Sequence, residues 1–461
     1  MRACADDVGI AFTSIEYLPL AKLPFDAAER FAGLRLKPEK CVLVPTGAPF
    51  SIELETLMRT WLIDHVPEWS GFKIASAGKY LAFYLGPNAK EFQWKDVTAK
   101  WKGRCNLIGR NHAAASVSVA HYNKRCVPLL MYKMQLLWLP STFMQTERVA
   151  LQHILHMATN SLDHPSFFHL GLLGGPEIVS SLATNAAVLM RTGLKTLTNW
   201  RPLWSKLQSA FNEHLSLADW HLKNTYPSWW SEPPMVFTLA AAANGFPDLP
   251  LFRCAGVAVL SDKLNASTHC TIDRHFGKIP STQSIAYKRF KPALYNSDYV
   301  KLFRRRLYSL FPDFGQDIEN IMWPTVFAAM RSLSMHQAMT VVKTLANAWT
   351  TTRRYHEEVR WQCIFGCPGC MDELQHYVVC IRLRRALFKA TKIRGAASPI
   401  AYLGLLEPCQ KLFLRLGVMF TTYHALKSSE KALIMSGDID SIAKATVSVA
   451  CNAARAFALS Q

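Results

Sequence analysis

Four cysteines and a histidine lie within eighteen residues near the C-terminal end of the chain. Their spacing fits Cys-x3-Cys-x8-His-x3-Cys or Cys-x2-Cys-x5-His-x3-Cys, and both patterns are typical of a tetrahedral zinc site. The favoured ligands are Cys363, Cys367, His376 and Cys380, which leave Cys370 as the spare thiol. Four protein ligands close the coordination sphere of the metal, which predicts a structural Zn²⁺. Buried free thiols are the alternative interpretation.

Two local elements must bring these ligands together. A tight turn containing Gly366 and Gly369 is predicted to converge the first thiolates. Residues 372–380 are predicted to form a helix. On that helix His376 and Cys380 are four positions apart and would share one face.

A second candidate for metal chemistry is the pair of adjacent carboxylates Asp6 and Asp7. We predict that they occupy the tip of a hairpin between residues 3–5 and a strand over residues 8–12. Neighbouring carboxylates are costly to bring together unless a hard divalent cation neutralises them, although Asp is also common in ordinary turns. A short helix over residues 24–33 and a buried strand over residues 40–44 are predicted to follow.

Three stretches of the first ninety residues together resemble a known family. Ala5-Asp6-Asp7, the run Phe31-Ala-Gly-Leu-Arg-Leu-Lys-Pro-Glu-Lys40 and the run Lys79-Tyr-Leu-Ala-Phe-Tyr-Leu-Gly86 resemble successive motifs of reverse transcriptases from non-LTR (LINE-type) retrotransposons. The cysteine cluster is similar to the zinc knuckle that follows the thumb in many of these proteins. The resemblance implies a late palm, a thumb and a zinc knuckle that bind RNA and DNA.

The resemblance also implies roles for single residues. Asp6 and Asp7 would hold catalytic Mg²⁺, because nucleotidyl transfer uses two metal ions held by clustered carboxylates. Lys40 would neutralise the leaving pyrophosphate. The residues that would position the primer or contact nucleic acid from the thumb are Tyr80, Leu81, Gly86, Lys100 and Arg104.

The enzyme that the family motifs describe needs more than these residues. In the family a further catalytic Asp, the fingers and the first half of the palm precede the Ala-Asp-Asp hairpin, whereas five residues precede Asp6 here. We therefore expect a truncated reverse transcriptase-like protein that binds nucleic acid and lacks polymerase activity of its own. The alternatives are an RNA-directed DNA polymerase active when the missing parts are supplied, and a domesticated RNA-binding zinc protein.

Charge independently favours a polyanionic partner. The chain carries 52 Lys and Arg against 33 Asp and Glu, a net charge of +19. Residues 274–306 concentrate nine Lys or Arg, against one acid, among aromatic side chains such as Tyr299 and Phe303. Cations contact phosphates and aromatic faces stack on unpaired bases, although a solvated basic face would look the same. The candidate contacts here are Lys288, Arg289, Arg304, Arg305 and Arg306.

The remaining features set the expected architecture. The most apolar run, residues 127–144, is interrupted by Lys133, Gln135 and Pro140, so we expect no membrane span. The acidic N-terminus is unlike a secretory signal, and the nucleus or cytoplasm is the expected location. The predicted class is α+β: a small palm-remnant sheet with a helix, then a mainly helical thumb and C-terminal region with a zinc knuckle. Oligomeric state stays open. The predicted segments are 1–90 (partial palm), 91–225 (helical thumb-like), 226–340 (basic helical connector), 341–395 (zinc knuckle) and 396–461 (helical tail).

Overall fold

A computed structural model describes residues 2–4, 7–140, 142–196, 283–284, 287–288, 291 and 297–459. The chain forms two compact units, residues 1–100 and residues 101–461. The described residues are mainly helical and contain three two-stranded sheets. This confirms the predicted α+β class.

The first unit contains all three sheets. Strand β1 (Arg2–Cys4) pairs antiparallel with β2 (Asp7–Gly9). Strands β3 (Val42–Leu43) and β4 (Lys73–Ile74) are parallel. Strands β5 (Gly78–Tyr80) and β6 (Phe83–Leu85) form an antiparallel hairpin. The predicted strand over residues 40–44 is therefore present but shorter, and Val42 is exposed, which the prediction of a buried strand did not anticipate.

The register of the first hairpin corrects the predicted position of Asp7. Cys4 pairs with Asp7, so Asp7 belongs to strand β2 and not to the tip. Residues 5 and 6, which separate the strands, lie outside the described residues. A shift of one position matters in a strand because successive side chains point to opposite faces.

Helices α1 and α2 contribute to the core of the first unit together with the segment that follows α2. Helix α1 (Leu18–Ala32) begins six residues before the predicted start at Pro24 and ends at Gly33, whose φ of 66° provides the left-handed cap. The earlier start follows from burial, because Leu18 and Ala21 pack into the core from one helix face. The helices that follow are α2 (Ile52–His65) and α3 (Ala89–Phe92), and then α4 (Lys95–Arg110), which begins in the first unit and ends in the second.

The second unit is helical. Its helices are α5 (Ala115–His121), α6 (Val127–Met134), α7 (Phe143–Ile154), α8 (His164–Phe167), α9 (Ser181–Thr196), α10 (Tyr299–Leu310), α11 (Gly315–Glu319), α12 (Trp323–Arg331), α13 (Met335–Leu345), α14 (Leu374–Val379), α15 (Ile381–Thr391), α16 (Pro399–Tyr402), α17 (Gln410–Ser429), α18 (Lys431–Ser436) and α19 (Ile439–Leu459). A π-helical turn, Tyr122–Cys126, joins α5 to α6. Helix α17 packs against α13, α15 and α19, which places a four-helix core beside the cysteine cluster. None of the helices in the described part of the chain has the length and apolar character that crossing a bilayer requires.

The five predicted segments stay a prediction. The boundaries after residues 90 and 340 fall inside helices α3 and α13, where the backbone is continuous. The boundary after residue 395 falls between α15 and α16. The boundary after residue 225 lies outside the described residues.

A buried carboxylate joins three segments of the second unit. Glu147 is fully buried, and its Oε1 accepts hydrogen bonds from the Tyr122 hydroxyl at 2.7 Å and from the Ser181 backbone N–H at 3.0 Å. Its Oε2 lies 2.9 Å from Nε2 of His164. Burial by itself raises the pKa of Glu147, but the hydrogen bond and charge of His164, with the two other donors, lower it below its ordinary value.

We expect Glu147→Gln to lower the free energy of unfolding by about 1–3 kcal/mol at pH 7, because an amide cannot accept all three hydrogen bonds. A depressed carboxyl pKa in the folded state contributes stability above the ordinary value of about 4.3, and this stability is lost as the pH falls through the lower, folded value. The difference between wild type and Glu147→Gln should therefore shrink in acid. Urea unfolding at several pH values measures it, with the exposed Glu407→Gln as the control. A difference that does not change with pH would contradict an ionised Glu147.

Candidate metal centre

Four side chains of the predicted zinc site converge in the second unit. One ligand atom each from Cys363, Cys367, His376 and Cys380 lies within 4.8 Å of all the others. The Cys380 Sγ is 3.5 Å from the Cys367 Sγ and 4.0 Å from the Cys363 Sγ. Two thiolates bound tetrahedrally at a Zn–S distance of about 2.3 Å stand about 3.8 Å apart, so these separations suit a shared zinc ion.

Cys370 does not join the cluster. Its side chain is partly exposed, and its backbone carbonyl accepts a hydrogen bond of 2.7 Å from the Cys363 N–H. The four converging side chains are thus the favoured ligand set. The spacing that fits them is Cys-x3-Cys-x8-His-x3-Cys, which begins at Cys363.

A short ribbon positions the first two cysteines. Gln362 and Met371 form an antiparallel bridge, and the chain between them turns back on itself. Gly366 and Gly369 have φ angles of 81° and 67°, a region that favours glycine. The predicted turn is confirmed at both glycines.

The second pair of ligands is arranged differently from the prediction. His376 lies in α14, which ends at Val379, and Cys380 has an extended backbone at the start of α15. The two residues therefore do not share a helix face. The break makes Cys380 the N-cap residue of α15, where a thiolate benefits from the free backbone N–H groups of the first turn.

Hydrogen bonds favour the thiolate form of one cysteine in this cluster, Cys363. The hydrogen bond from Cys380 lowers the pKa of Cys363 to about 4 against the effect of burial, and His376 and the backbone N–H groups of Cys367 and Phe365 add to the lowering. The same hydrogen bond raises the pKa of Cys380, because the two sulfurs share one proton. A cation replaces that proton when both sulfurs ionise.

His376 supplies a second test of whether these residues fit a zinc ion. Nε2 of His376 is buried and has no hydrogen-bond partner among the described residues. A buried imidazole nitrogen without a partner is costly, and coordination to a metal satisfies it. The donor set, its spacing and this nitrogen all fit zinc, which would be held by Cys363, Cys367, His376 and Cys380.

A buried carboxylate next to the cluster ties it to the helical core. Asp372 has no exposed surface, and its Oδ1 accepts from the hydroxyls of Tyr377 at 2.6 Å and Tyr423 at 2.9 Å. Its Oδ2 accepts from the Thr352 N–H at 2.8 Å and lies 3.2 Å from Nζ of Lys427. The sequence pattern places Asp372 only at the start of a helix. Its partners are up to 55 positions away, so no local signal marks its role.

Helix α15 is anchored by two arginines that stack on one tyrosine. The guanidinium carbons of Arg384 and Arg415 lie 3.9 Å and 4.0 Å from the ring centroid of Tyr402. Arg384 also donates to the carbonyls of Val378 at 2.9 Å and Ala396 at 3.1 Å. These contacts hold the helix that begins at Cys380.

The residues implied in polymerase chemistry are only partly described. Asp6 lies outside the described residues, and of Asp7 only the backbone is described. Lys40 is exposed at the end of a 3-10 turn. Within the described part of the chain, the one group of Cys, His, Asp or Glu side chains placed to share an ion is the cysteine cluster. No described residue therefore supports a Mg²⁺ site.

The Tyr-Leu-Gly hairpin has a defined geometry. Leu81 and Ala82 form its tip with φ angles of 48° and 67°, unusual values for residues with a Cβ. A Cβ on Gly86 would lie 2.4 Å from the Ser76 carbonyl oxygen, so this position requires glycine. The Tyr80 ring lies beside Gly9 of strand β2, where an added Cβ would be 3.2 Å away. The two hairpins of the resemblance are thus neighbours.

The basic residues predicted to contact nucleic acid differ in whether their side chains are exposed or already bonded to other parts of the protein. Lys100, Lys288 and Arg305 are exposed, whereas Arg289 lies outside the described residues. Arg104 donates to the Arg125 carbonyl at 2.7 Å, Arg304 lies 3.5 Å from Glu319, and Arg306 donates to the Asn160 carbonyl.

The aromatic partners of that basic stretch are not available for stacking where they are described. Tyr299 is 4% exposed and Phe303 is fully buried, so both belong to the core. For these two residues the expectation of base stacking is wrong, because α10 turns them inward against Trp323 and Phe327.

The geometry defines a candidate structural zinc centre of the Cys3His type. Comparison of the chain with protein-family models, with curated proteins and with solved structures finds no match. The assignment of this site therefore depends on its own residues.

Proposed function

We propose that this protein binds RNA or DNA through a surface organised by the zinc centre. The proposal extends to a retrotransposon origin, in which the first unit corresponds to a late palm and the second to a thumb and zinc knuckle of a LINE-type reverse transcriptase. The neighbouring positions of Tyr80 and Gly9 support the palm correspondence. The Cys3His cluster supports the knuckle.

The observation that carries the binding proposal is the outer face of helix α15. Arg385, Lys389 and Lys392 are exposed on it, together with Ile381 and Phe388, which are 64% and 47% exposed. The spacing of Ile381, Arg385, Phe388 and Lys389 places these four on one side of the helix, and Lys392 is its C-cap residue. Cations contact phosphates, and an exposed aromatic ring stacks on an unpaired base.

The inner face of the same helix explains why this surface is rigid. Leu383, Ala386 and Leu387 are buried against the core. Cys380 fixes the first turn, and the Arg384 stack on Tyr402 fixes the middle. A rigid helix loses little entropy when its side chains meet a partner, which favours binding.

Polymerase activity is the second function implied by the resemblance. Its acidic residues Asp6 and Asp7 have no described side chains, and Lys40 is an exposed lysine. We therefore prefer nucleic-acid binding to polymerase activity as the function, because described residues support it.

We expect the double substitution Arg385→Ala, Lys389→Ala to weaken binding of a single-stranded RNA. Each lost phosphate contact should reduce the slope of log affinity against log salt by about one, since fewer counterions are released. Phe388→Ala should weaken binding by about 1–3 kcal/mol for each base that stacks on the ring, without changing the salt slope. Fluorescence anisotropy over a salt series measures both effects.

Lys444→Ala on the exposed side of α19 is the matched control and should leave affinity and slope near those of wild type. Zinc content and thermal unfolding should be the same in all variants, because the substituted side chains are exposed. If the affinity changes neither with salt concentration nor in the α15 variants, this interface is wrong.

A further inference from the structure

Five histidines and one lysine of the second unit, none of them a member of the cysteine cluster, are linked by ring contacts and electrostatic interactions. His112 stacks on His156 at a ring-centroid distance of 4.8 Å, and His153 lies 6.5 Å from His156. Lys343 acts electrostatically on three of the histidines: His156, His336 and His424. We call these six residues the histidine cluster.

The histidine cluster lacks negative charge. None of its six side chains forms an ion pair with a carboxylate among the described residues. Helices α13 and α17, which carry Lys343 and His424, contain no Asp or Glu between residues 335 and 345 or between residues 410 and 429. Lys343 is thus held among these groups without a counter-charge, so an anion would stabilise the arrangement.

Several of these groups are partly buried with unused hydrogen-bonding atoms. His156, Lys343 and His424 are half-buried, whereas His112, His153 and His336 are exposed. Nε2 of His156 and Nε2 of His424 are buried and have no partner in the part of the chain that the structure describes. The Lys343 ammonium lies 5.6 Å from the centre of the Phe420 ring. The cluster thus combines unused ring nitrogens with three histidines that are exposed.

The backbone around the histidine cluster is held in place before any ligand binds. His156 and Asn347 end helices α7 and α13 with φ angles of 53° and 50°. Arg354 bridges the two turns, donating from Nε to the Asn347 carbonyl at 2.8 Å and from Nη2 to the Thr159 carbonyl at 2.5 Å. A site fixed in advance pays little ordering entropy on binding.

The charged groups that act on His156, His336 and His424 are all cationic or become so on protonation. Lys343, His112 and His153 face His156, Lys343 faces His336, and Lys343 and Lys427 face His424. Burial first, and these charges second, lower the pKa of His156 to about 4, and burial lowers the pKa of Lys343 to about 8. A bound anion reverses both effects and favours the protonated forms.

We propose that the histidine cluster is a binding site for a phosphate group. The group is either free, as in pyrophosphate, or part of a nucleic-acid strand. Phosphate offers several acceptor oxygens and a double negative charge, which suit imidazole and ammonium donors. This site uses other helices than α15 and does not depend on the proposed α15 interface.

The direct test follows the imidazole signals of the zinc-loaded full chain, labelled with ¹³C at Cε1 of histidine, during a pH titration. Sodium pyrophosphate and a single-stranded RNA are the two probes, and His→Gln variants assign the signals. We expect a probe to shift the signals of His112, His153 and His156 and to raise the pKa of His156. The signal of His65, which is exposed and stacks on Trp61 in the first unit, is the internal control and should not move.

The two probes separate the sources of the phosphate group. A response to pyrophosphate supports a free phosphate ligand, and a response to RNA alone supports a phosphate of the strand. Arg385→Ala, Lys389→Ala should keep the pyrophosphate response, so failure of the α15 interface and failure of this site are distinguishable. Cluster signals that respond to neither probe, or that move no more than His65, would overturn the proposal.

Lys343→Met tests the centre of the histidine cluster. Loss of a charged donor should weaken binding of the active probe at least about tenfold. Lys411→Met, an exposed lysine on α17, should leave the affinity unchanged. Equal affinities of the two variants would count against the site. If Lys343→Met does not fold, the wild-type titration still decides the question.

Discussion

Cys380→Ser is expected to remove the metal and to destabilise the second unit strongly. Cys380 is both a candidate ligand and the N-cap residue of α15, so its loss affects the cluster and the helix that packs on α17 and α19. Metal binding to a structural zinc site is folding free energy, about 10 kcal/mol or more in small zinc domains. Purified wild type should contain nearly one zinc per chain by elemental analysis, and the variant much less.

The same variant should unfold at least about 10 °C lower than wild type in thermal denaturation. Chelation of wild type should reproduce this shift, since both treatments remove the same ion. Cys370→Ser is the matched control because Cys370 lies in the same ribbon but outside the cluster. Zinc-free wild type, or equal zinc loss in both serine variants, would show that the ligand set is wrong.

Asp372→Ala should lower the free energy of unfolding by about 3–5 kcal/mol. The substitution leaves the Lys427 ammonium without its buried partner and removes the acceptor of two tyrosine hydroxyls and the Thr352 N–H. Breaking a buried charge pair by removing one partner costs about this much, because the remaining charge stays desolvated. Chemical unfolding with zinc present in excess measures the loss.

Glu373→Ala is the control for Asp372. Glu373 is the next residue and pairs with Arg353; the side chains of Glu373 and Arg353 are 21% and 63% exposed. Exposed ion pairs contribute about 0–1 kcal/mol, so this variant should remain close to wild type. If the two alanine variants were equally stable, Asp372 would not hold the ribbon to the helical core. Asp372→Asn should fall between wild type and alanine, because the amide keeps one acceptor oxygen.

The parts of the structure that sequence predicted well depend on neighbours along the chain. The candidate zinc ligands were predicted from their spacing, since a Cys-x3-Cys turn and a nearby histidine meet over a few residues. Gly366 and Gly369 were predicted as turn residues because positive φ favours glycine.

Other parts of the structure depend on packing and chain breaks that no local sequence pattern indicates. The His376 and Cys380 pair was predicted on one helix, yet the chain breaks at Cys380. Tyr299 and Phe303 looked like stacking partners for bases, but the packing of α10 buries them. A single-position shift in the first hairpin moved Asp7 from the tip into the strand.

The sequence alone specifies a basic α+β protein with a Cys3His pattern, because composition and ligand spacing can be read without knowing the fold. Only the tertiary structure decided which thiols converge, that Asp372 joins the ribbon to α17 through Tyr423 and Lys427, and that His112, His153 and Lys343 act on His156. These groups come from segments tens to hundreds of residues apart. Their contacts arise when helices bury their apolar faces against one another, and that packing depends on the whole unit.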